Sequence, residues 1–282
     1  MSAPARTGHS WLPRATCDAG CVGCGDVAAS SRLVTALRVT LRVMLALLLA
    51  PGVALLAVPL PGRTRVQRIY CRMVLRCFGI RITVTGSPIR NLRGVLVVSP
   101  HMSWLDVFSI GSVLPGSFVA RADMFTGPAT GIVARILKII PIERSSLRLL
   151  PAVVDTVARR LSGGQTVVCF PEGTTWCGRD GGAFYPAMFQ AAIDAGRPVQ
   201  PLRLTYHHVD GSVSTVPAFV GDETLVGSIR RLLTVRRTLA RVHVESLQLP
   251  GTDRRVLASR CQSVVGGTAV RPAGRGPLLV AS

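Results

Sequence analysis

His101 and Asp106 are the residues of this sequence whose types and spacing most directly suggest chemistry. They stand five positions apart in Ser-Pro-His-Met-Ser-Trp-Leu-Asp, directly after the apolar run at 94–99. An imidazole paired with a carboxylate can act as an oriented general base near neutral pH. Five positions on a regular helix differ by about 140°, so the side chains meet only if His101 precedes a helix whose first turn contains Asp106. The structural alternative is a capping box, in which Ser103 begins the helix and Asp106 only caps it.

Glu172 is the second candidate. It lies in Phe-Pro-Glu-Gly-Thr-Thr-Trp, after another short apolar run at 166–170. Ligands of open α/β sheets often bind at the carboxyl ends of strands, where this turn is expected. A plain turn between a strand and a helix would use the same proline and glycine, and that alternative stays open.

The charge balance indicates a negatively charged partner. The chain carries 33 basic and 14 acidic residues, and the resulting formal charge of +19 attracts polyanions. Only 5% of the residues are aromatic and 48% are hydrophobic, and no RNA-binding aromatic motif is present. We therefore predict anionic membrane lipids, and no nucleic acid, as partners.

An apolar segment near the N-terminus indicates how the chain meets a membrane. Val43–Leu60 would extend about 27 Å as a helix, which is the lower limit for a span, and Pro51-Gly52 interrupts it. Arginines flank it on both sides, and the positive-inside rule places arginine on the cytoplasmic side. We favour a monotopic or re-entrant segment on the cytoplasmic face of the cell membrane. A single span and a buried core helix are the alternatives.

Eight cysteines are present, and three of them cluster as Cys17-x3-Cys21-x2-Cys24. The first 32 residues contain no early apolar region of the kind found in signal peptides, so we expect a reducing compartment and free thiols. The cluster matches the iron–sulfur spacing of radical S-adenosylmethionine enzymes, yet it lies in a Gly/Ala-rich arm before an apolar segment. We interpret the three as unpaired tail cysteines and predict no metal site, with metal binding in the arm as the less favoured alternative.

Short apolar runs alternating with helical patterns predict the fold class. The expected architecture is α/β, with a mixed, mostly parallel sheet flanked by helices and an N-terminal membrane-embedding helical segment. The expected strands are 82–84, 94–99, 166–170, 199–204, 213–220 and 241–249, and the expected helices are 103–113, 146–161 and 186–195. The expected organisation is a disordered Cys-containing arm (1–32), a membrane-embedding helical segment (33–80), a catalytic domain that contains both candidate motifs (81–261) and a flexible tail (262–282).

Four blocks taken together resemble a known family. His-Met-Ser-Trp-Leu-Asp followed by Phe-Pro-Glu-Gly-Thr-Thr resembles the glycerolipid acyltransferases of the lysophosphatidate acyltransferase type. The second block of that family resembles Ile-Ile-Pro-Ile-Glu-Arg-Ser at 139–145, and the fourth resembles Val-Gln-Pro-Leu-Arg-Leu-Thr-Tyr at 199–206. The resemblance covers about 90–220, with the blocks in the family's order.

The resemblance implies a role for each block. His101 would deprotonate the acceptor hydroxyl and Asp106 would orient His101, while backbone N–H groups near the helix start would stabilise the oxyanion. Arg144 would contact the polar head of the acceptor. The third block would shape the same pocket through Glu172, Gly173 and Thr174. The thioester of coenzyme A or acyl carrier protein would be the acyl donor, and no cofactor is expected.

Two departures from the family pattern bear on the acceptor. Pro100 stands where asparagine is usual before the histidine, and Thr175 replaces a common arginine. The expected reaction is acylation of 1-acylglycerol-3-phosphate to phosphatidate. The alternatives are another lysolipid acceptor, such as lyso-ornithine lipid, or a non-catalytic lipid-binding protein that retains the fold.

Overall fold

One seven-stranded sheet organises the protein. The computed structural model describes residues 12–23, 31–57, 62–86, 92–143 and 146–266. The strands are Ile80–Gly86 (β1), Leu96–Val98 (β2), Ser117–Arg121 (β3), Ile140–Ile142 (β4), Val167–Cys169 (β5), Val199–His207 (β6) and Thr238–Val244 (β7). Their order is β1-β7-β6-β2-β5-β3-β4, and only the β6–β7 pair is antiparallel. The expected mixed, mostly parallel sheet is confirmed.

Helices cover both faces of this sheet. They are Arg32–Leu49 (α1), Arg63–Cys77 (α2), Leu105–Gly111 (α3), Pro128–Ile136 (α4), Leu150–Ser162 (α5), Ala187–Asp194 (α6), Leu225–Thr234 (α7) and Arg254–Gly266 (α8). Val97 and Val168 belong to the core cluster on the α3 side, and Leu96 and Val98 belong to the cluster on the α5 side. Because both faces of β2 and β5 are buried, these strands are continuous apolar runs in the sequence.

The two central strands bring the candidate motifs together. β2 and β5 are parallel neighbours, with Val98 opposite Cys169 at their carboxyl ends. His101 follows β2 and Glu172 follows β5, so sheet register places the two segments side by side. This adjacency is the structural basis of the site.

The N-terminal helices form a hairpin that is attached to the domain by arginine. α1 is followed by a 3-10 segment, Ala50–Leu56, and α2 then returns along α1. A side chain at Gly52 would lie 3.1 Å from the Tyr70 ring, so glycine allows this close approach. Arg42 is buried, and its guanidinium donates to backbone carbonyls at the C-terminal end of α7, including those of Leu233 and Val235. A cation at the end of a helix is also favoured by the helix dipole.

The expected strand at 213–220 is wrong. Only Val213 forms a β-bridge, with His207, and the following residues run as a loop over the core. Val216, Ala218 and Val220 alternate into the core without pairing. Their apolar alternation is typical of a strand, but the guanidinium of Arg231 donates hydrogen bonds to the carbonyls of Val216 and Ala218. Pro217 could not donate to a ladder in any case.

Both ends of the chain also differ from expectation where the structure describes them. The arm predicted to be disordered over 1–32 packs against the domain through residues 12–23, with Cys17 in the core. The expected flexible tail from 262 begins as the last turns of α8, which continues to Gly266 and buries Val265. In both places a few apolar side chains meet the core, and the local composition does not reveal this. The remainder of the predicted arm and tail lies outside the described residues.

Candidate active site

The His101 and Asp106 side chains meet as the spacing predicted. His101 precedes α3 and Asp106 lies in its first turn, and the distance from His101 Nδ1 to Asp106 Oδ2 is 2.9 Å. Among the described residues, nothing hydrogen-bonds to His101 Nε2, and the side chain is 15% exposed. The ring therefore has one nitrogen held by a carboxylate and one available to a ligand, which is the arrangement of an oriented general base.

Asp106 binds backbone N–H groups and the imidazole at once. It is fully buried, and Oδ2 accepts the backbone N–H groups of Met102 (2.7 Å) and Ser103 (2.8 Å) as well as the imidazole. The predicted capping box with Ser103 as N-cap is wrong, because Trp104 is the N-cap of α3, although the Ser103 N–H does donate to Asp106. The capping and orienting interpretations were alternatives in the sequence, but one carboxylate oxygen binds both the N–H groups before α3 and the imidazole. These N–H groups and that of Leu105, which is bound to Ser103 Oγ, are consequently not available for the oxyanion expected near the helix start.

Tyr206 is a site residue that the sequence analysis did not single out. Its hydroxyl, fully buried on β6, donates to Asp106 Oδ1 over 2.8 Å and lies 3.2 Å from Ser109 Oγ. Both carboxylate oxygens of Asp106 are thereby occupied, so its orientation is determined by four donors. The available signal was that Tyr206 ends the fourth block on the same face as buried Leu202 and Leu204.

Glu172 is buried and holds the backbone of the site. Its carboxylate is buried, Oε2 accepts the His101 backbone N–H (2.8 Å) and Oε1 accepts the Gly182 N–H (2.9 Å). The family resemblance implied that Glu172 shapes the substrate pocket, and this stays a prediction. The turn does form, but the neighbouring β2 loop and the 181–182 loop cover it, and Glu172 joins these loops to each other.

Burial has a measurable electrostatic consequence for Glu172. Burial raises the pKa of Glu172 to about 7, and the nearby Asp106 adds to the rise, although the N–H groups of His101 and Gly182 act in the opposite direction. Because the folded-state pKa lies above the unfolded value, this group's contribution to stability is present at acidic pH and is lost as the pH rises towards 7.

We expect Glu172→Gln to flatten that pH dependence. In the wild type, the shift in the Glu172 pKa should lower the free energy of unfolding by up to about 3 kcal/mol between pH 5 and pH 8. The variant lacks the titration, and its amide NH₂ must face either the His101 or the Gly182 N–H donor, so transfer should also slow by about 10- to 100-fold. Denaturant unfolding at both pH values and initial rates would measure the two effects. Asp180→Asn, a nearby carboxylate that does not contact His101, is the control. If the free energy of unfolding of Glu172→Gln depended on pH as steeply as that of the wild type, the raised pKa of Glu172 would be contradicted.

The structure also describes Gly173 and Thr174, the other two residues that the resemblance assigns to the third block. Gly173 adopts a positive φ of +70°, and a side chain there would meet Pro13 at 2.6 Å. Thr174 is partly buried at the turn, and the Thr175 hydroxyl donates to the Phe219 carbonyl. Thr175 is thus engaged within the protein. Arg144 lies outside the described residues.

An apolar cavity is connected to His101 through two phenylalanine rings. It measures about 400 Å³, and α1, α2, α3 and α4 contribute to its walls together with the Ala50–Leu56 segment. Phe118 lines it, with its ring centroid 6.4 Å from that of Phe170, and Phe170 stacks on His101 at 3.9 Å. The rest of the lining is also apolar, with Phe108 and Val74 among its side chains. Such a lining suits a hydrocarbon chain.

Known proteins resemble this chain in sequence and fold. The family model described as acyltransferase matches residues 81–205. A lyso-ornithine lipid O-acyltransferase of Pseudomonas aeruginosa is 31% identical over 73% of this chain and 78% of its own length. A 1-acyl-sn-glycerol-3-phosphate acyltransferase of Neisseria meningitidis serogroup B is 32% identical over 61% of this chain and 67% of its own length. The crystal structure of the 1-acyl-sn-glycerophosphate acyltransferase from Thermotoga maritima superposes with a TM-score of 0.58 at 18% identity, covering 83% of this chain and 93% of that one.

Proposed function

The chain belongs to the lysolipid acyltransferase family, and from this premise we propose that it moves a fatty acyl group from a thioester donor to the hydroxyl of a lysolipid in a membrane. The observation that carries the proposal is the oriented His101: Asp106 holds Nδ1, and Nε2 has no hydrogen-bond partner among the described residues. A non-catalytic lipid-binding protein would not require an imidazole held by a buried carboxylate with four donors.

The chemistry follows from the hydrogen bonds of the pair. His101 Nε2 takes the proton of the acceptor hydroxyl while Nδ1–H donates to Asp106 Oδ2. The acceptor oxygen attacks the thioester carbonyl, the new C–O bond forms, and the C–S bond breaks as the tetrahedral intermediate collapses. The leaving thiolate takes the proton from Nε2, so His101 returns to its starting state. Asp106 stabilises the transient imidazolium. No acyl-enzyme and no resident cofactor is needed.

The donor's acyl chain fits the apolar cavity. A thioester carbonyl placed at His101 would direct its hydrocarbon chain past Phe170 and Phe118 into the space between the N-terminal hairpin and the sheet. Coenzyme A and acyl carrier protein both present the same thioester, so either serves as the carrier in this proposal.

Two acceptors are in question. Relatives of both activities match the chain, and we propose 1-acylglycerol-3-phosphate first because the four blocks resemble the lysophosphatidate acyltransferase type. Lyso-ornithine lipid is the second candidate, and one observation favours it. Thr175 occupies the position at which the family commonly has an arginine, and its hydroxyl already donates to Phe219, so this position adds no phosphate-binding fork.

A competition assay tests the proposal. Purified protein receives labelled acyl-CoA or acyl carrier protein thioesters and an equimolar mixture of both lysolipids in detergent, and mass spectrometry identifies the products. Acyl transfer to either lysolipid supports the family assignment, and the product ratio decides the acceptor. Binding of lysolipid without transfer from either donor would indicate the non-catalytic alternative.

The outer face of the N-terminal hairpin supports an interfacial position. Among the described residues, one helix, together with the 3-10 segment that follows it, is long and apolar enough to cross a membrane by length and composition. A stripe at helical spacing on α1 remains exposed, namely Leu33, Leu37, Leu41, Met44 and Leu48. An exposed apolar stripe of this length on a folded protein suits contact with lipid.

The opposite face of α1 favours the monotopic arrangement. Arg38 and Arg42 are held by carbonyls at the end of α7, so the first half of α1 lies along the domain. Within the described residues, Val43–Leu56 is the part of the apolar segment that follows these two contacts, and it extends about 25 Å. The bilayer core is about 30 Å thick, so this part alone is shorter than a span. We therefore propose a shallow hairpin, with the active site next to the membrane surface on the cytoplasmic side.

Exposed arginines on α2 should strengthen this contact. We expect Arg65→Gln with Arg68→Gln to weaken binding to anionic vesicles by about 10- to 30-fold, at roughly 1 kcal/mol per arginine. Arg63 is left intact because it donates to the Ile136 carbonyl and so contributes to the fold. Vesicle flotation measures binding, and activity is compared on vesicle-borne and detergent-solubilised acceptor.

The matched control removes the same charge elsewhere, through Arg254→Gln with Arg255→Gln at the start of α8. This control should retain more of the vesicle binding. Activity on detergent-solubilised acceptor should be unchanged in both double variants. An equal loss of activity in the two assays would show that Arg65 and Arg68 serve the pocket, and the interfacial position would be contradicted.

A further inference from the structure

Three cysteine thiols from distant parts of the chain converge beside the active site. Cys17 and Cys21 come from segment 12–23, and Cys177 comes from the loop after the Glu172 turn. Their sulfur atoms all lie within 4.8 Å of one another. Cys17 and Cys177 are buried, and Cys21 is partly exposed. We propose that these three thiols bind a zinc ion that fastens segment 12–23 onto the loop behind Glu172.

The spacing of the sulfur atoms fits such an ion. Zinc–sulfur bonds of about 2.3 Å in tetrahedral geometry place thiolates about 3.8 Å apart. The observed cluster therefore needs to contract by at most about 1 Å, which side-chain rotation can supply. Sulfur ligands without a carboxylate select zinc over magnesium or calcium. Cys24, three residues after Cys21, lies outside the described residues, and the proposal does not use it.

The backbone around Cys177 makes a tight turn. Gly178 has a positive φ of +87°. A side chain at position 178 would lie 2.7 Å from the Met102 sulfur, so this turn requires glycine. Binding of zinc would release the protons of the three thiols to solvent as the Zn–S bonds form.

The segment that the ion would hold touches the catalytic turn. Pro13 packs on Gly173, and the Gly23 N–H donates to Thr215 Oγ1 over 2.7 Å. Residues 12–23 contain only one short 3-10 turn, Ala19–Cys21, so they have little regular structure of their own. Metal binding would supply the free energy that keeps such a segment folded on the domain. The ion's role is structural, since its ligands do not include His101 or Asp106.

Metal analysis of full-length protein tests the proposal. The protein is purified in detergent with reductant and without a histidine tag, and elemental analysis should find about one zinc per chain. Cys17→Ser, Cys21→Ser and Cys177→Ser should each lose most of this zinc. Cys77→Ser is the matched control, because Cys77 is as buried as Cys17 but lies on α2, and it should retain the zinc. Cobalt substitution should give thiolate-to-metal absorption in the wild type and in Cys77→Ser only.

A second measurement avoids variants that fail to fold. Hydrogen–deuterium exchange of the wild-type protein should rise in peptides covering 12–23 and 173–182 after chelation. Added zinc should restore protection and magnesium should not. Any of four results would overturn the proposal: zinc content unaffected by Cys17→Ser and Cys177→Ser, no zinc uptake by reduced metal-free protein, stoichiometric iron in place of zinc, or a Cys17–Cys177 disulfide in protein kept under reductant.

Discussion

Replacing His101 with alanine should lower the rate of acyl transfer by at least about 1,000-fold, because no other described group is placed to take the proton of an acceptor hydroxyl. The imidazole is bonded to Asp106 and stacks on Phe170, and among the described residues its Nε2 has no hydrogen-bond partner. Its backbone N–H, which binds Glu172, is retained in the variant, so the loops around the site should keep their positions. Steady-state rates on detergent-solubilised acceptor provide the measurement.

The control for His101→Ala is His243→Ala. His243 is a partly exposed histidine on β7, where its ring contacts Thr85 and Glu245 and takes no part in the site. His243→Ala should retain most of the activity, and both variants should show the same circular dichroism spectrum as the wild type. More than a tenth of wild-type activity in His101→Ala would contradict the general-base assignment.

Asp106→Asn should reduce the rate by about 100- to 1,000-fold while leaving the fold intact. In serine hydrolases the corresponding change costs about 10⁴-fold, because the amide fixes the wrong histidine tautomer. Here three N–H donors converge on Oδ2, so the amide oxygen must occupy that position and the His101 tautomer is retained. The remaining loss comes from the missing charge, which no longer stabilises the imidazolium.

Tyr206 makes the Asp106 prediction specific. In Asp106→Asn the amide NH₂ must face the Tyr206 hydroxyl, which can accept that bond and donate to Ser109 Oγ instead. Tyr206→Phe alone should cost only about 10-fold in rate and about 1–2 kcal/mol in the free energy of unfolding. Combined with Asp106→Asn it should add destabilisation, since the NH₂ is then buried without a partner.

Asp106→Ala, in contrast, leaves the buried Met102 and Ser103 N–H groups unsatisfied and should unfold at clearly lower denaturant concentration. Equal stability of the asparagine and alanine variants would contradict this account of Asp106.

Local sequence was sufficient for the elements that rest on nearby residues. The His101–Asp106 contact was predictable because five residues at the start of a helix allow only a small set of geometries. β2 and β5 were predictable because strands buried on both faces are continuous apolar runs. The strand expected at 213–220 was wrong for a related reason, since apolar alternation records which side chains face a core and not which backbone groups pair.

The sequence by itself therefore determined the fold class and the contact between His101 and Asp106, the pair proposed as general base and orienting carboxylate. Only the tertiary structure decided what surrounds them: that Tyr206 bonds Asp106 from a hundred residues away, that Glu172 turns inward to hold the His101 backbone, and that Cys17 and Cys21 meet Cys177. These contacts join segments far apart in the chain. They depend on the strand order of the sheet and on how its loops pack. The spacing of neighbouring residues in the sequence determines neither the strand order nor the loop packing.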